Sequence, residues 1–181
     1  MSAHAAAPAA LPPGDYRLSA DSLRRIDRET AKYPAEQRQS AVLAALAIAQ
    51  DQFGWLPALV QEEVAAVLQM APVAVYEVAS FYHMFHLSPT GRHKITVCTN
   101  LPCALSGGNA AARQLQQKLG VRFGQTTADG AFTLSEGECM GACGDAPVLI
   151  VDNKKMCSFM DESRIDALLE TLAADASKPV R

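Results

Sequence analysis

The sequence predicts an α+β protein in two parts, a small N-terminal helical bundle followed by an α/β sandwich. Three observations predict it. Apolar residues recur with a helical period from about Ser19 to Phe85. Pro89 and Gly91 then break the pattern, as a linker does. From Lys94 onward, β-branched runs and glycine-bearing turns alternate with helical stretches.

In the first part, Leu23, Ile26, Thr30 and Tyr33 fall on one face of a helix ending near Pro34. A second helix places Val42, Leu46, Ala49 and Phe53 on one stripe, with Gly54 where a left-handed cap is expected. Pro57 suits the first turn of a third helix, because its missing N–H would have no partner there. Its stripe is Val60, Val64, Val67 and Leu68. Pro72 repeats the device for a fourth helix with Val75, Val78, Ala79 and Tyr82. Four short amphipathic helices must cover one another's apolar stripes, which makes a bundle.

In the second part, Lys94 to Cys98 reads as a strand and Ser106 to Leu119 as a helix stopped by Gly120. Asp129-Gly130 signals a turn into a strand from Ala131 to Ser135. Val148 to Val151 and Lys155 to Phe159 flank a hairpin turn. Ile165, Leu168, Leu169 and Leu172 mark a closing helix. Strand, helix, strand, hairpin and helix in that order is thioredoxin-like. The expected organisation is a disordered tail over 1–18, the bundle over 19–88, the α/β domain over 92–173 and a flexible tail over 174–181.

Composition narrows the function. The 181 residues carry 16 basic and 19 acidic side chains, a formal net charge of −3. No basic patch interrupts that balance, which argues against nucleic acid as a partner. The longest apolar stretch, Ala41 to Ala49, is about half the ~20 residues a membrane span needs. The Ala- and Pro-rich start, Met1 to Gly14, lacks the basic and apolar regions of a secretory signal. The expected compartment is therefore the reducing cytoplasm, where cysteines bind metals more often than they form disulfides.

Four of the five cysteines form two close pairs. Cys98 and Cys103 enclose Thr99-Asn100-Leu101-Pro102, a C-x4-C spacing at the end of a strand; Cys139 and Cys143 enclose Met140-Gly141-Ala142, a C-x3-C spacing. Each pair is short enough to bind one tetrahedral metal, and two pairs together match a [2Fe–2S] cluster, in which each iron takes two thiolates. Roughly 35 residues separate the pairs, so the fold must bring them together. Structural zinc on the same four sulfurs is the alternative, although its knuckles are usually tighter. A dithiol redox site fits less well, since no C-x-x-C precedes a helix.

The surroundings suit a buried anionic cluster. Gly107 and Gly108 open a helix whose N-terminal dipole could face it, and Gly141 and Gly144 allow close backbone approach to sulfur. Glu136, Glu138 and Asp145, with no Lys or Arg between Glu136 and Val151, predict a low reduction potential. Cys157 reads as a small core residue sharing a strand face with Phe159. His83 and His86 lack a third ligand and read as packing or surface, His93 has no evident role, and Phe81, Tyr82 and Phe85 read as core or an interface between the two parts. No phosphate loop is present.

Three segments carry a family resemblance: Pro72-Val73-Ala74-Val75-Tyr76-Glu77-Val78-Ala79-Ser80-Phe81-Tyr82; Lys94-Ile95-Thr96-Val97-Cys98 with Cys103; and Glu136-Gly137-Glu138-Cys139-Met140-Gly141-Ala142-Cys143-Gly144-Asp145-Ala146-Pro147. With them the chain, from about Ser19 to Leu172, resembles the thioredoxin-like [2Fe–2S] ferredoxin subunit of bacterial complex I, the NADH:quinone oxidoreductase, known as its E-type subunit. That resemblance implies Cys98, Cys103, Cys139 and Cys143 as cluster ligands. It implies a flavoprotein partner holding FMN and the NADH site, a larger peripheral-arm iron–sulfur subunit beside it, and a peripheral place on the inner membrane through the complex. It implies transient storage of one electron near the flavin, with the helical part as docking surface and no substrate site on this chain alone. Similar subunits occur in NAD-linked hydrogenases and formate dehydrogenases, and Leu101-Pro102 and Ala104-Leu105-Ser106 depart from the bulkier or basic residues of some members.

Overall fold

A computed structural model describes residues 16–175. The bulk of both expected tails lies outside those residues. The chain divides into two compact units, with the boundary between Ser88 and Pro89.

The first unit is helical. Its elements are α1 (Ala20–Thr30), a 3-10 segment (Ala35–Ala41), α2 (Val42–Phe53), α3 (Ala58–Leu68) and α4 (Pro72–Phe81). Ser19 caps α1 by accepting the Ser22 N–H on its hydroxyl at 3.1 Å. Ile26, Leu46, Ala49, Val60, Val64, Leu68, Val75 and Ala79 form the core, as their spacing requires. Leu18, expected in the tail, belongs to this core as well, and Tyr16 stacks against Phe53 with ring centroids 6.2 Å apart.

Several expected boundaries move, each for a local reason. The first helix stops at Thr30, whose hydroxyl bonds back to the Asp27 carbonyl at 2.9 Å. Tyr33 therefore leaves the stripe and is exposed. The 3-10 segment has no apolar period and gave no sequence signal. Pro57 sits one step earlier than expected, as the extended N-cap of α3, whereas Pro72 occupies the first turn of α4. The fourth helix ends at Phe81, and Tyr82 is extended and exposed. Of the aromatic trio only Phe85 is core; Phe81 is 80% exposed. Gly54 takes the left-handed cap, at φ 82°. No single helix among the described residues is long and apolar enough to cross a membrane; α3 and α4 together pass on composition but meet at 119°.

The second unit holds a five-stranded sheet in the order β2-β3-β1-β4-β5. Its elements are β1 (His93–Cys98), α5 (Leu101–Leu105), α6 (Gly108–Leu119), β2 (Gln125–Thr126), β3 (Phe132–Gly137), a 3-10 turn (Cys143–Asp145), β4 (Leu149–Val151), β5 (Lys155–Cys157) and α7 (Glu162–Ala174). Strands β1 and β3 run parallel in the register His93↔Phe132 to Cys98↔Gly137, joined by the helical crossover that parallel pairing demands. The remaining pairings are antiparallel. Ile95, Val97, Leu134, Leu149 and Val151 pack with Ala111, Ala112 and Leu115 of α6 and Ile165, Leu168 and Leu172 of α7.

Here too the boundaries shift. The helix expected from Ser106 starts at Gly108, after Gly107 with φ 97°, and the short α5 before it was not expected. The two-residue β2 was too short to leave a pattern. Strand β5 ends at Cys157, because Phe159 adopts a left-handed φ of 54°. The two residues therefore do not share a strand face; Cys157 is half-buried against the core and Phe159 is half exposed. Ala174, assigned to the tail, closes α7.

The face of β1 that carries Lys94, Thr96 and Cys98 is buried but polar. Gly91 donates its N–H to Thr133 Oγ1 at 2.7 Å on the neighbouring strand. His93, on the opposite face, is buried, and its Nδ1 lies 3.3 Å from Asp152 Oδ2, which gives that histidine a structural place. Burial lowers the Lys94 ammonium to about 8. The unfolded chain then binds more protons than the folded one between about pH 8 and the ordinary lysine value near 10.4, so stability rises with pH across that window and the cost is complete below it. In urea titrations, Lys94→Met should flatten this rise, which has a limit of about 1.4 kcal/mol per pH unit. An unchanged slope in the variant would assign the effect elsewhere.

Candidate metal centre

The four paired cysteines come from three local structures. Cys98 ends β1, and its N–H donates to the Val148 carbonyl at 3.1 Å. Cys103 lies in the middle of α5, a single turn closed by Ala104 N–H to Asn100 carbonyl at 2.9 Å. Both are 1% exposed and pack with Val148, Met140, Ala142 and Ala146. Cys139 and Cys143 lie on the exposed loop that leaves β3. The site is thus a buried pair facing an exposed pair, close to the surface.

The fold joins the pairs through the β1–β3 register. Cys98 stands opposite Gly137, and the Thr99 N–H extends the ladder to the Gly137 carbonyl at 3.4 Å. Gly137 must be glycine here: a Cβ would lie 2.7 Å from the Thr96 methyl and 3.0 Å from the end of Met140. Gly108 meets a similar demand, since its Cβ would fall 2.8 Å from the Cys103 carbonyl oxygen. The start of α6 therefore sits tightly against the first pair.

Around the sulfurs, charge and hydrogen bonding are uneven. Burial raises the Cys98 thiol, against the opposing pull of amide N–H groups from Asn100 and Met140 and alongside a hydrogen bond with the Cys103 side chain. The Gly141 N–H, 3.5 Å from Cys139 Sγ, and the neighbouring Cys143 hold Cys139 below the ordinary thiol range. The hydrogen bond with Cys139 raises the Cys143 thiol, and charge on Cys139 and Cys98 adds to the rise. Cys139 and Cys143 Sγ are 3.5 Å apart. That is close to the roughly 3.8 Å edge of a tetrahedron with metal–sulfur bonds of about 2.3 Å. Among the described residues no three or more His, Cys, Asp or Glu side chains are gathered for a single ion. The donor set is two thiol pairs, which fits a two-iron cluster with two thiolates on each iron.

Some expectations about this site change. Gly141 has φ 74° and brings its N–H to sulfur, but Gly144 has open space around its Cα and an ordinary φ, so close approach does not explain it. The acidic residues are not simply uncompensated. Thr99 Oγ1 donates to Glu136 Oε1 at 2.6 Å, and Asn100 Nδ2 donates to Glu138 Oε2 at 3.0 Å. Asp145 accepts from Ser158 Oγ at 3.1 Å, while its carbonyl and that of Pro147 accept the N–H groups of Phe159 and Met160. The left-handed turn at Phe159 is what aims those two amides at the Cys143 loop. Sequence spacing missed all of these partners because each bond spans residues more than ten positions apart. Beside the loops lies an open groove of about 640 Å³, bordered by Ser106, Gly107, Pro147 and Phe159.

Comparison with known proteins places the chain in a family. The family model described as thioredoxin-like [2Fe-2S] ferredoxin matches residues 26–173. An E-type subunit of NADH-quinone oxidoreductase from Rhizobium meliloti (strain 1021) is 47% identical over 149 residues, covering 82% of this chain and 87% of that protein. The mitochondrial NADH dehydrogenase [ubiquinone] flavoprotein 2 of Dictyostelium discoideum is 38% identical over 154 residues, and this chain spans 62% of its length. Among solved structures, an NAD+-reducing [NiFe]-hydrogenase in the air-oxidized state superposes with a TM-score of 0.65 at 29% identity, covering 75% of this chain and 23% of that one. By the extent of the family match and the identity to these relatives, this chain belongs to the thioredoxin-like [2Fe–2S] ferredoxin family, with the E-type subunits of NADH-quinone oxidoreductase among its relatives.

Proposed function

We propose that the chain is the [2Fe–2S] electron-transfer subunit of NADH:quinone oxidoreductase, with Cys98, Cys103, Cys139 and Cys143 as the cluster ligands. A [2Fe–2S] cluster on these thiolates supplies one-electron redox chemistry. The observation that carries the reading is the pairing of four thiols at the end of the parallel β1–β3 ladder, in a chain 47% identical to an E-type subunit of that oxidoreductase. FMN and NADH belong, on this reading, to a partner flavoprotein subunit, with which single electrons are exchanged. The larger peripheral-arm iron–sulfur subunit is the second partner, and the complex holds the chain at the cytoplasmic side of the inner membrane.

The chain's own residues perform three tasks in this scheme. The amide N–H groups of Asn100, Met140 and Gly141 face sulfur and stabilise negative charge there. The packing of Val148, Met140, Ala142 and Ala146 around Cys98 and Cys103 keeps water from that pair. Two apolar surfaces remain for partners. On α4, Val73, Tyr76 and Phe81 are exposed, which supports the helical unit as a docking surface. On α5, Leu101 and Leu105 are 68% and 81% exposed on either side of buried Cys103.

A second reading is favoured by one observation, the TM-score of 0.65 to the hydrogenase: the equivalent subunit of an NAD-linked hydrogenase or formate dehydrogenase. Isolation of the native assembly decides between them. Subunits of a quinone reductase support the first reading, and a hydrogenase or formate dehydrogenase subunit replaces it with the second.

Iron, sulfide and zinc analysis of purified chain tests the site. About two irons and two sulfides per chain are expected; stoichiometric zinc in colourless protein would establish the structural-zinc alternative. Cys98→Ser and Cys143→Ser should each lower iron content severalfold, while Cys157→Ser should leave it near wild type. Equal loss in all three variants would refute the ligand assignment. Phe81→Glu, at a side chain with no place in the bundle core, should reduce co-purification of the partner subunits at least severalfold while leaving iron content unchanged. Full retention of the partners would remove α4 from the docking surface.

A further inference from the structure

The β1–β3 backbone ladder ends at the level of Cys98 and Gly137, and beyond it the two cysteine-bearing segments part. Residues 101–105 turn into α5, while residues 138–142 leave as an irregular loop. Two side-chain hydrogen bonds cross between the segments just where they diverge: Thr99 Oγ1 to Glu136 Oε1 at 2.6 Å and Asn100 Nδ2 to Glu138 Oε2 at 3.0 Å. The donors lie between Cys98 and Cys103; the acceptors immediately precede Cys139.

We propose that these bonds form a latch that sets the distance between the two ligand pairs, with Thr99, Asn100, Glu136 and Glu138 as positioning residues. The proposal rests on the cysteine assignment above. Hydrogen bonds between exposed side chains usually contribute little, because ordering long side chains offsets the gain. Three features set these two apart. Their acceptors are carboxylates, which strengthens each bond. Their donors sit on short, half-buried side chains with few rotamers to lose. The backbone beneath them is already fixed by the Thr99 N–H bond to Gly137.

The latch also changes what the acidic residues do. Taken as bare charge, Glu136 and Glu138 only disfavour an added electron. Taken as acceptors, they hold the Cys98–Cys103 segment to the segment carrying Cys139. Charge and hydrogen bonding can be separated, because Asn and Asp, and Gln and Glu, are nearly the same size. Glu138→Gln keeps an acceptor for Asn100 and removes the charge. Asn100→Asp sets two carboxylates against each other. The double variant Asn100→Asp with Glu138→Gln restores a donor and an acceptor in reversed order, at the wild-type net charge.

Two measurements on the full chain test this. The first is the rate of cluster loss to an iron chelator, followed by visible absorbance. Asn100→Asp should release the cluster at least fivefold faster than wild type, and Glu138→Gln and the double variant should stay within about twofold. The second is amide hydrogen exchange of residues 99–104 in cluster-free chain, which should be faster in Asn100→Asp and return to the wild-type rate in the double variant. A merely structural effect of Asn100→Asp would not be rescued by the reciprocal change. A double variant as labile as Asn100→Asp, or an Asn100→Asp chain indistinguishable from wild type, overturns the latch. Failure of the wild-type chain to take up a cluster would instead overturn the proposed function, and hydrogen exchange would then decide the latch by itself.

Discussion

The parallel pairing of β1 with β3 is the constraint on which the site depends. Its register puts Cys98 beside Gly137, and every other cysteine of the site takes its position from that point. Parallel strands need a long crossover, and here the crossover contains Cys103 and the helix that presses on it. The second pair follows directly from the end of the partner strand. Shifting the pairing by one residue would turn Cys98 to the opposite face of the sheet, against the apolar layer of α6 and α7. Ile95 and Leu134, buried and paired with each other, hold the register against that slip.

The sheet has two unlike faces, and the difference bears on chemistry. One is a conventional apolar core built from Ile95, Val97, Leu134 and the two long helices. The other carries Lys94, Thr96, Thr133 and Cys98, buried but polar. Buried polar groups need hydrogen-bond partners, and contacts such as Gly91 N–H to Thr133 meet that need. Cys98 thus emerges from a polar layer into a pocket edged by backbone amides. An anionic centre is better placed there than in the apolar core, where charge has nothing to solvate it.

The loop bearing Cys143 is organised from a distance. Phe159 adopts a left-handed conformation uncommon for a large side chain, and its N–H and that of Met160 bond to the carbonyls of Asp145 and Pro147. Ser158 adds a hydroxyl bond to the Asp145 carboxylate. The segment that follows β5 therefore braces the loop that carries the second cysteine pair. This explains why a strand pattern that reads smoothly to Phe159 in sequence stops at Cys157: continuing it would carry those amides away from the loop.

The two-part α+β layout, the core stripes of α2, α3 and α7, the left-handed cap at Gly54 and the four paired cysteines were all legible in the chain by itself. Each is a local property, a helical period, a glycine demanded by one turn, or thiols a few residues apart, and local spacing determines it. The tertiary structure decided what spacing cannot carry. It set which sulfurs are buried, placed Thr99 and Asn100 against Glu136 and Glu138, aimed Phe159 at the Cys143 loop, and gave His93 its carboxylate partner. Those contacts join residues from 13 to 59 positions apart. They exist only once the sheet has closed, because hydrogen bonds and desolvation act through space and leave no period along the chain.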